Sequence, residues 1–165
     1  MCSSDLLMID VVTPAAAPTL VPPDYSATYR AATRYGWLDR PGARLRYATW
    51  QPEGAPPRGT VVLQQGRAEF IEKYAVEVVG ELLARGFAVQ ALDWRGQCLI
   101  ARPLADPCKG HIDDFATYLD AFQAFMEHVV APAAAGPVIA LCHSMGGNIV
   151  LRHLAETPSP RFAAA

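Results

Sequence analysis

Three short apolar runs, each followed by a longer segment of helical period, constrain what this chain can fold into. They are Thr60-Val-Val-Leu63, Phe87-Ala-Val-Gln-Ala-Leu92 and Val138-Ile-Ala-Leu141. A strand buried on both faces reads as a continuous apolar run, whereas a strand with one wet face alternates. After the first run, Ile71, Tyr74, Val78 and Leu82 fall at helical spacing. After the second, Ile112, Phe115, Leu119, Phe122, Met126 and Val129 recur every three or four residues. Strand–helix units in this succession imply an α/β fold with a parallel sheet, right-handed crossovers and helices on both faces. Gly86 is expected to end the first helix and Pro132 to close the second. Asp113 and Asp114 are expected in the first turn of the second helix, where its dipole favours negative charge.

The N-terminal part reads differently. Residues 1–34 show no clear period and contain Pro14, Pro18, Pro22 and Pro23, so an irregular arm is expected, with the domain spanning residues 35–165. Tyr35-Gly-Trp-Leu-Asp39 and Arg44 to Trp50 flank Arg40-Pro-Gly-Ala43. Alternation of Arg44 and Arg46 with Leu45 and Tyr47 suits an antiparallel hairpin with one wet face.

The third apolar run ends abruptly in His143-Ser-Met-Gly-Gly147, and a helical pattern follows. Strand, tight turn with an exposed serine, then helix is the layout of a nucleophile elbow. Ser144 is the candidate nucleophile, and it must adopt a strained backbone so that its hydroxyl projects above the sheet. Residues two before and two after must be small, because strand and helix pass close together there. Gly146 satisfies this; Cys142 stands where the stricter pattern has glycine, but is small and apolar enough for a buried strand end. Gly147 is expected to let the helix pack tightly against the sheet. The competing reading is an ordinary βα turn with a serine N-cap.

Acyl transfer also needs two backbone N–H donors aimed at the developing oxyanion. One comes from the residue after the nucleophile, Met145. The other comes from the loop after the first apolar run, Gln64-Gln-Gly-Arg-Ala-Glu-Phe70, where Gly66 lets the backbone approach substrate and places the N–H of Arg67. Adjacent side chains diverge on a sharp turn, so His143 is not expected to act as base on Ser144. His153 reads as a packing or surface residue of the following helix. His111 and His128 mark the ends of the preceding helix, where a cation at His128 suits the dipole. Asp93, at a strand's carboxyl end, reads as a loop cap more than as an acid.

Bulk properties exclude several classes. A net charge of −2 with no basic run argues against nucleic-acid binding, and neither GxGxxG nor GxxxxGK[ST] follows a strand. No apolar stretch approaches the roughly 18 residues of a membrane-spanning helix. Met1 to Val12 lacks the basic start of a secretory signal. Cys2, Cys98, Cys108 and Cys142 have no metal-ligand spacing, so free thiols in a reducing cytoplasm are expected, with no metal or cofactor.

Gln65-Gly-Arg-Ala-Glu69 with Lys73-Tyr74, Asp93-Trp-Arg-Gly-Gln97 and His143-Ser-Met-Gly-Gly147 stand in an order and spacing that resembles the α/β-hydrolase superfamily. More closely, they are similar to its monoacylglycerol lipase and lysophospholipase L2 branch. The resemblance covers roughly residues 36–156. It implies Ser144 as nucleophile, the N–H groups of Arg67 and Met145 as oxyanion hole, and a lipid-like monoacyl ester as substrate, with peripheral membrane contact. Gln65 replaces the family's usual His, and Cys98 and Ile100 take places usually held by Gly and Ser. The family's acid, base and substrate-covering cap lie beyond the elbow helix, so the chain is expected to be the N-terminal half of such a domain and inactive alone. The strand Val138 to Leu141 would then be an exposed edge open to self-association. The alternative is a non-catalytic remnant or ligand-binding module.

Overall fold

The computed structural model describes residues 34–97, 100, 104–106, 109–157 and 162–165. The expected N-terminal arm up to residue 33, and Cys2, Cys98 and Cys108, lie outside the described residues.

Five strands form one sheet: β1 (Arg34–Arg40), β2 (Ala43–Trp50), β3 (Thr60–Gln64), β4 (Ala88–Leu92) and β5 (Val138–Cys142), in the order β1-β2-β4-β3-β5. The β1–β2 hairpin closes over Pro41-Gly42 with Arg40 opposite Ala43, and Gly42 adopts φ +70°, a conformation glycine reaches without a Cβ penalty. β2 runs antiparallel to β4, while β3 pairs parallel with both β4 and β5. Every residue of β3 and β4 is buried, as their unbroken apolar runs require.

Helices cover both faces. Helix α1 (residues 71–84) is α-helical over Ile71–Tyr74, π-helical over Ala75–Val79 and α-helical again over Gly80–Ala84, and Gly86 follows it at φ +82°. Its Ile71, Ala75 and Val79 pack on Ala48, Trp50, Leu63, Val89 and Ala91. Helix α2 (residues 116–133) comprises Ala116–Phe125, a π-helical Met126–Val130 and Ala131–Ala133, and α3 is Met145–Glu156. These two cover the opposite face, where Phe122, Phe125, Ile149 and Val150 bury Leu45, Tyr47, Val62 and Leu92.

Three expectations need correction. Arg46 is not on a wet face. Only 3% of it is exposed, because the N-terminal end of α1 lies over that face of β2, so alternation here marks two dry faces, one of them charged. Arg44 does stay exposed, paired with Asp39 at 2.8 Å and over the Trp37 ring. Secondly, Asp113 and Asp114 precede α2. The Asp114 carboxylate accepts the Ala116 N–H at 2.8 Å, while Asp113 pairs with His111, since a short acidic side chain bonds backbone N–H groups best from outside the helix. Thirdly, the β5 edge is engaged along part of its length. Ala140 N–H donates to the Ala164 carbonyl at 2.9 Å and Ala163 N–H to the Val138 carbonyl at 2.7 Å, with Phe162 stacked on Phe122. Leu141 remains 40% exposed.

Candidate active site

β5 delivers the chain to a turn that only a tight local geometry permits. His143 N–H donates to the Gln64 carbonyl at 2.9 Å, and Ser144 then takes φ +51°, ψ −116° before α3 begins. An L-residue in this region is strained by on the order of 1–3 kcal/mol. Ser144 is exposed and makes no side-chain cap hydrogen bond, so its hydroxyl is not used as an ordinary N-cap.

Gly146 explains how the turn fits. A Cβ there would lie 2.4 Å from the Gln64 carbonyl oxygen and 2.6 Å from that of Gln65. The elbow therefore packs backbone on backbone against the end of β3. Gly147 plays no such part: a Cβ would meet only Cys142 Cβ at 3.8 Å, ordinary contact, because that position faces away from the β3 carbonyls.

The loop after β3 lies directly against the elbow. A Cβ on Gly66 would stand 3.2 Å from Ser144 Cβ and 3.0 Å from His143 Nδ1. Glu69, unassigned from the sequence, organises this loop. Its Oε2 accepts the Gly66 N–H at 2.7 Å and the Tyr74 hydroxyl at 2.6 Å, lies 3.0 Å from His143 Nδ1, and its Oε1 pairs with the Lys73 ammonium. Burial alone would raise the Glu69 carboxyl, but Lys73, Tyr74, His143 and the Gly66 N–H hold it at about 2. Gln97, after β4, reaches the same place: its Oε1 accepts the Ala68 N–H, and its Nε2 lies 3.8 Å from Met145 Sδ.

Beneath the loop is a buried ionic cluster. Arg46 donates to Glu72 at 2.6 and 2.7 Å and to Asp93 Oδ2 at 2.7 Å. Asp93 Oδ1 also accepts the Ile71 N–H and the Gln65 amide, each at 3.0 Å. Asp93 thus caps α1, as well as holding Gln65, whose carbonyl accepts the Trp94 indole N–H at 2.8 Å. Burial pushes the Asp93 carboxyl up to about 6, with Arg46 opposing and Glu72 adding to the rise.

A cavity of about 330 Å³ opens beside the elbow, and Arg67 and Met145 both line it. The four histidines have other engagements or positions. His143 faces Glu69, His111 pairs with Asp113 at 2.9 Å, and buried His153 lies edge-on to Phe122 with Nδ1 3.3 Å from the Thr157 hydroxyl. His128 sits in the last turn of the π-helical part of α2. Among the described residues none is hydrogen-bonded to the Ser144 hydroxyl. Burial pushes the free Cys142 thiol up to about 11, which keeps it protonated and poorly nucleophilic.

Residues 55–165 match the family described as Serine aminopeptidase, S33. The chain belongs to that family. Lysophospholipase L2 of Escherichia coli strain K12 is 41% identical to this S33 chain over 98 residues, covering 59% of the chain and 28% of that protein. Monoacylglycerol lipase of Mycolicibacterium smegmatis is 33% identical over 117 residues, 71% of the chain and 39% of that protein. The S33 chain therefore spans well under half the length of these curated relatives. Mouse alpha/beta hydrolase domain-containing protein 10 superposes with a TM-score of 0.55 at 17% identity, covering 76% of this chain and 45% of its own, which shows the α/β-hydrolase fold. Among the described residues of the S33 chain, no helix is long and apolar enough to cross a membrane.

Proposed function

We propose that this chain carries the nucleophile half of a serine ester hydrolase acting on lipid-like monoacyl esters, monoacylglycerols or lysophospholipids. The observation that carries the reading is the strained, exposed Ser144, held against the loop of Gly66 and Arg67 by the carbonyl contacts at Gly146. Ser144 Oγ attacks the ester carbonyl, the N–H groups of Arg67 and Met145 stabilise the oxyanion, and the alcohol leaves. Water then hydrolyses the acyl-enzyme. The attacking hydroxyl must lose its proton, and the histidines described above do not take it. A base and an orienting acid would have to come from other residues, and without them only residual rate remains, on the order of 10³–10⁴-fold over water. The names of the relatives support the substrate class, and a free Cys142 is in keeping with a reducing, cytoplasmic setting.

Labelling with a fluorophosphonate, followed by mass spectrometry, tests this. Slow modification of Ser144 is expected, rising with pH as solvent hydroxide substitutes for the base, and lost in Ser144→Ala. No modification of Ser144 at any pH would favour a second reading, a non-catalytic ligand-binding module, which agrees with no described histidine being bonded to Ser144.

A further inference from the structure

The cavity beside Ser144 has a divided lining. Ile112, Phe115 and Met145 offer apolar surface suited to an acyl chain, while Arg67, also in the lining, brings a positive charge. Arg67 differs from most arginines and lysines among the described residues. Arg40, Arg44, Arg46, Lys73, Arg85, Lys109 and Arg152 each pair with a carboxylate. Arg58 and Arg95 bond backbone carbonyls, and Arg34 acts electrostatically on the Tyr47 hydroxyl. Arg67 makes neither hydrogen bond nor ion pair among the described residues; its charge is felt by the Tyr118 hydroxyl, and it is exposed.

The Arg67 guanidinium lies among the other residues of the cavity lining. Gly110 flanks it, and even a Cβ there would stand 3.8 Å from Nη2 and 3.9 Å from Nε. Asp113 is occupied by His111, and Gln97, which also lines the cavity, by Ala68. A guanidinium presents paired N–H donors that match two oxygens of a phosphate. We propose that the Arg67 side chain is the subsite for a phosphodiester in the substrate headgroup, so that the cavity selects lysophospholipids over neutral monoacylglycerols. This rests on Ser144 as the nucleophile. The Arg67 N–H faces the reacting carbonyl in that reading, and a comparable run of single bonds separates this N–H from the guanidinium and the ester carbonyl from the phosphate.

The test is binding to the full chain of two non-hydrolysable ethers below their micelle concentrations. One is a 1-O-alkylglycerophosphoglycerol, whose headgroup carries only the phosphate charge; the other is the 1-O-alkylglycerol of equal chain length. The phosphate ether is expected to bind about tenfold tighter or more, the worth of one charge-assisted hydrogen bond. Arg67→Met should bring the two ligands to equal affinity, Arg67→Lys should keep part of the preference, and added salt should shrink it. Equal affinities in the unsubstituted chain would overturn the proposal. So would chainless glycerophosphoglycerol binding as tightly as the ether, which would mark a plain phosphate site. Fluorophosphonate labelling of Ser144 separates the two failures: a labelled Ser144 without headgroup preference sinks this subsite alone, whereas an unlabelled one sinks the reading beneath it.

Discussion

Replacing Arg46 by Met should nearly unfold the domain at neutral pH, and acid should rescue it. Arg46 is 3% exposed and its partners Glu72 and Asp93 are fully buried, with contacts of 2.6 to 2.7 Å. Arg46→Met leaves two carboxylates in the interior with no cation. Their cheapest escape is to take up protons, which at pH 7 costs roughly 4 kcal/mol for a carboxyl of ordinary pKa. Asp93, already at about 6, adds roughly 1 kcal/mol. Loss of about 5 kcal/mol follows, at the top of the range measured for breaking buried ion pairs and a large part of a domain's total stability. The sign with pH is fixed by proton uptake. The variant's native state binds protons that its unfolded state does not, so its stability rises as pH falls, by about 1.4 kcal/mol per unit per carboxyl. Urea unfolding followed by far-UV circular dichroism at pH 7 and pH 5 reads this directly. The deficit should shrink by about 4 kcal/mol at pH 5, and Arg46→Met with Glu72→Gln should recover much of it at pH 7. A loss below about 1 kcal/mol, or a deficit unchanged at pH 5, would refute the account.

Other substitutions follow from the site. The Glu69 carboxyl is held at about 2, below its ordinary 4.5, so its contribution is present above pH 4.5 and lost as pH falls through 2; Glu69→Gln should flatten that acid limb in urea midpoints. Ser144→Gly relieves φ +51° and should stabilise the fold by about 1 kcal/mol while abolishing fluorophosphonate labelling, whereas an unchanged midpoint would deny the strain. Gly146→Ala must displace backbone carbonyls at 2.4 and 2.6 Å, and should cost about 3 kcal/mol or more in urea unfolding; a loss under 1 kcal/mol would show that the elbow yields.

β3 and β4 were legible because they are apolar runs bounded by turn residues, the signature that burial on both faces leaves, and β5 shows the same run although only Ala140 of it is buried. The elbow was legible because Ser144 and Gly146 meet steric demands that few other residues satisfy. Arg46 was not. Alternation reports only that two faces differ, and a face can differ by holding a charge network instead of water. That network joins residues 26 and 47 positions apart, beyond the reach of any local pattern. Gly147 was misjudged because tight packing depends on which way a Cβ points, not on being next to the residue that needs it. Glu69 stood inside a quoted motif, yet its role emerges only when Gly66, Tyr74 and His143 are brought around it.

The origin of the three buried charges also bears on how the domain assembles. Arg46 comes from β2, Glu72 from the first turn of α1 and Asp93 from just past β4. Any partly formed state that docks two of these without the third carries an uncompensated charge away from water, which is more costly than leaving all three solvated. Docking of α1 on the sheet is therefore penalised until β2 and β4 have paired. The loop that faces Ser144 grows from the same junction, so it should order late and in a single step. Refolding rates of a weakened Arg46 variant would then stay close to those of the parent, with the whole deficit appearing in faster unfolding.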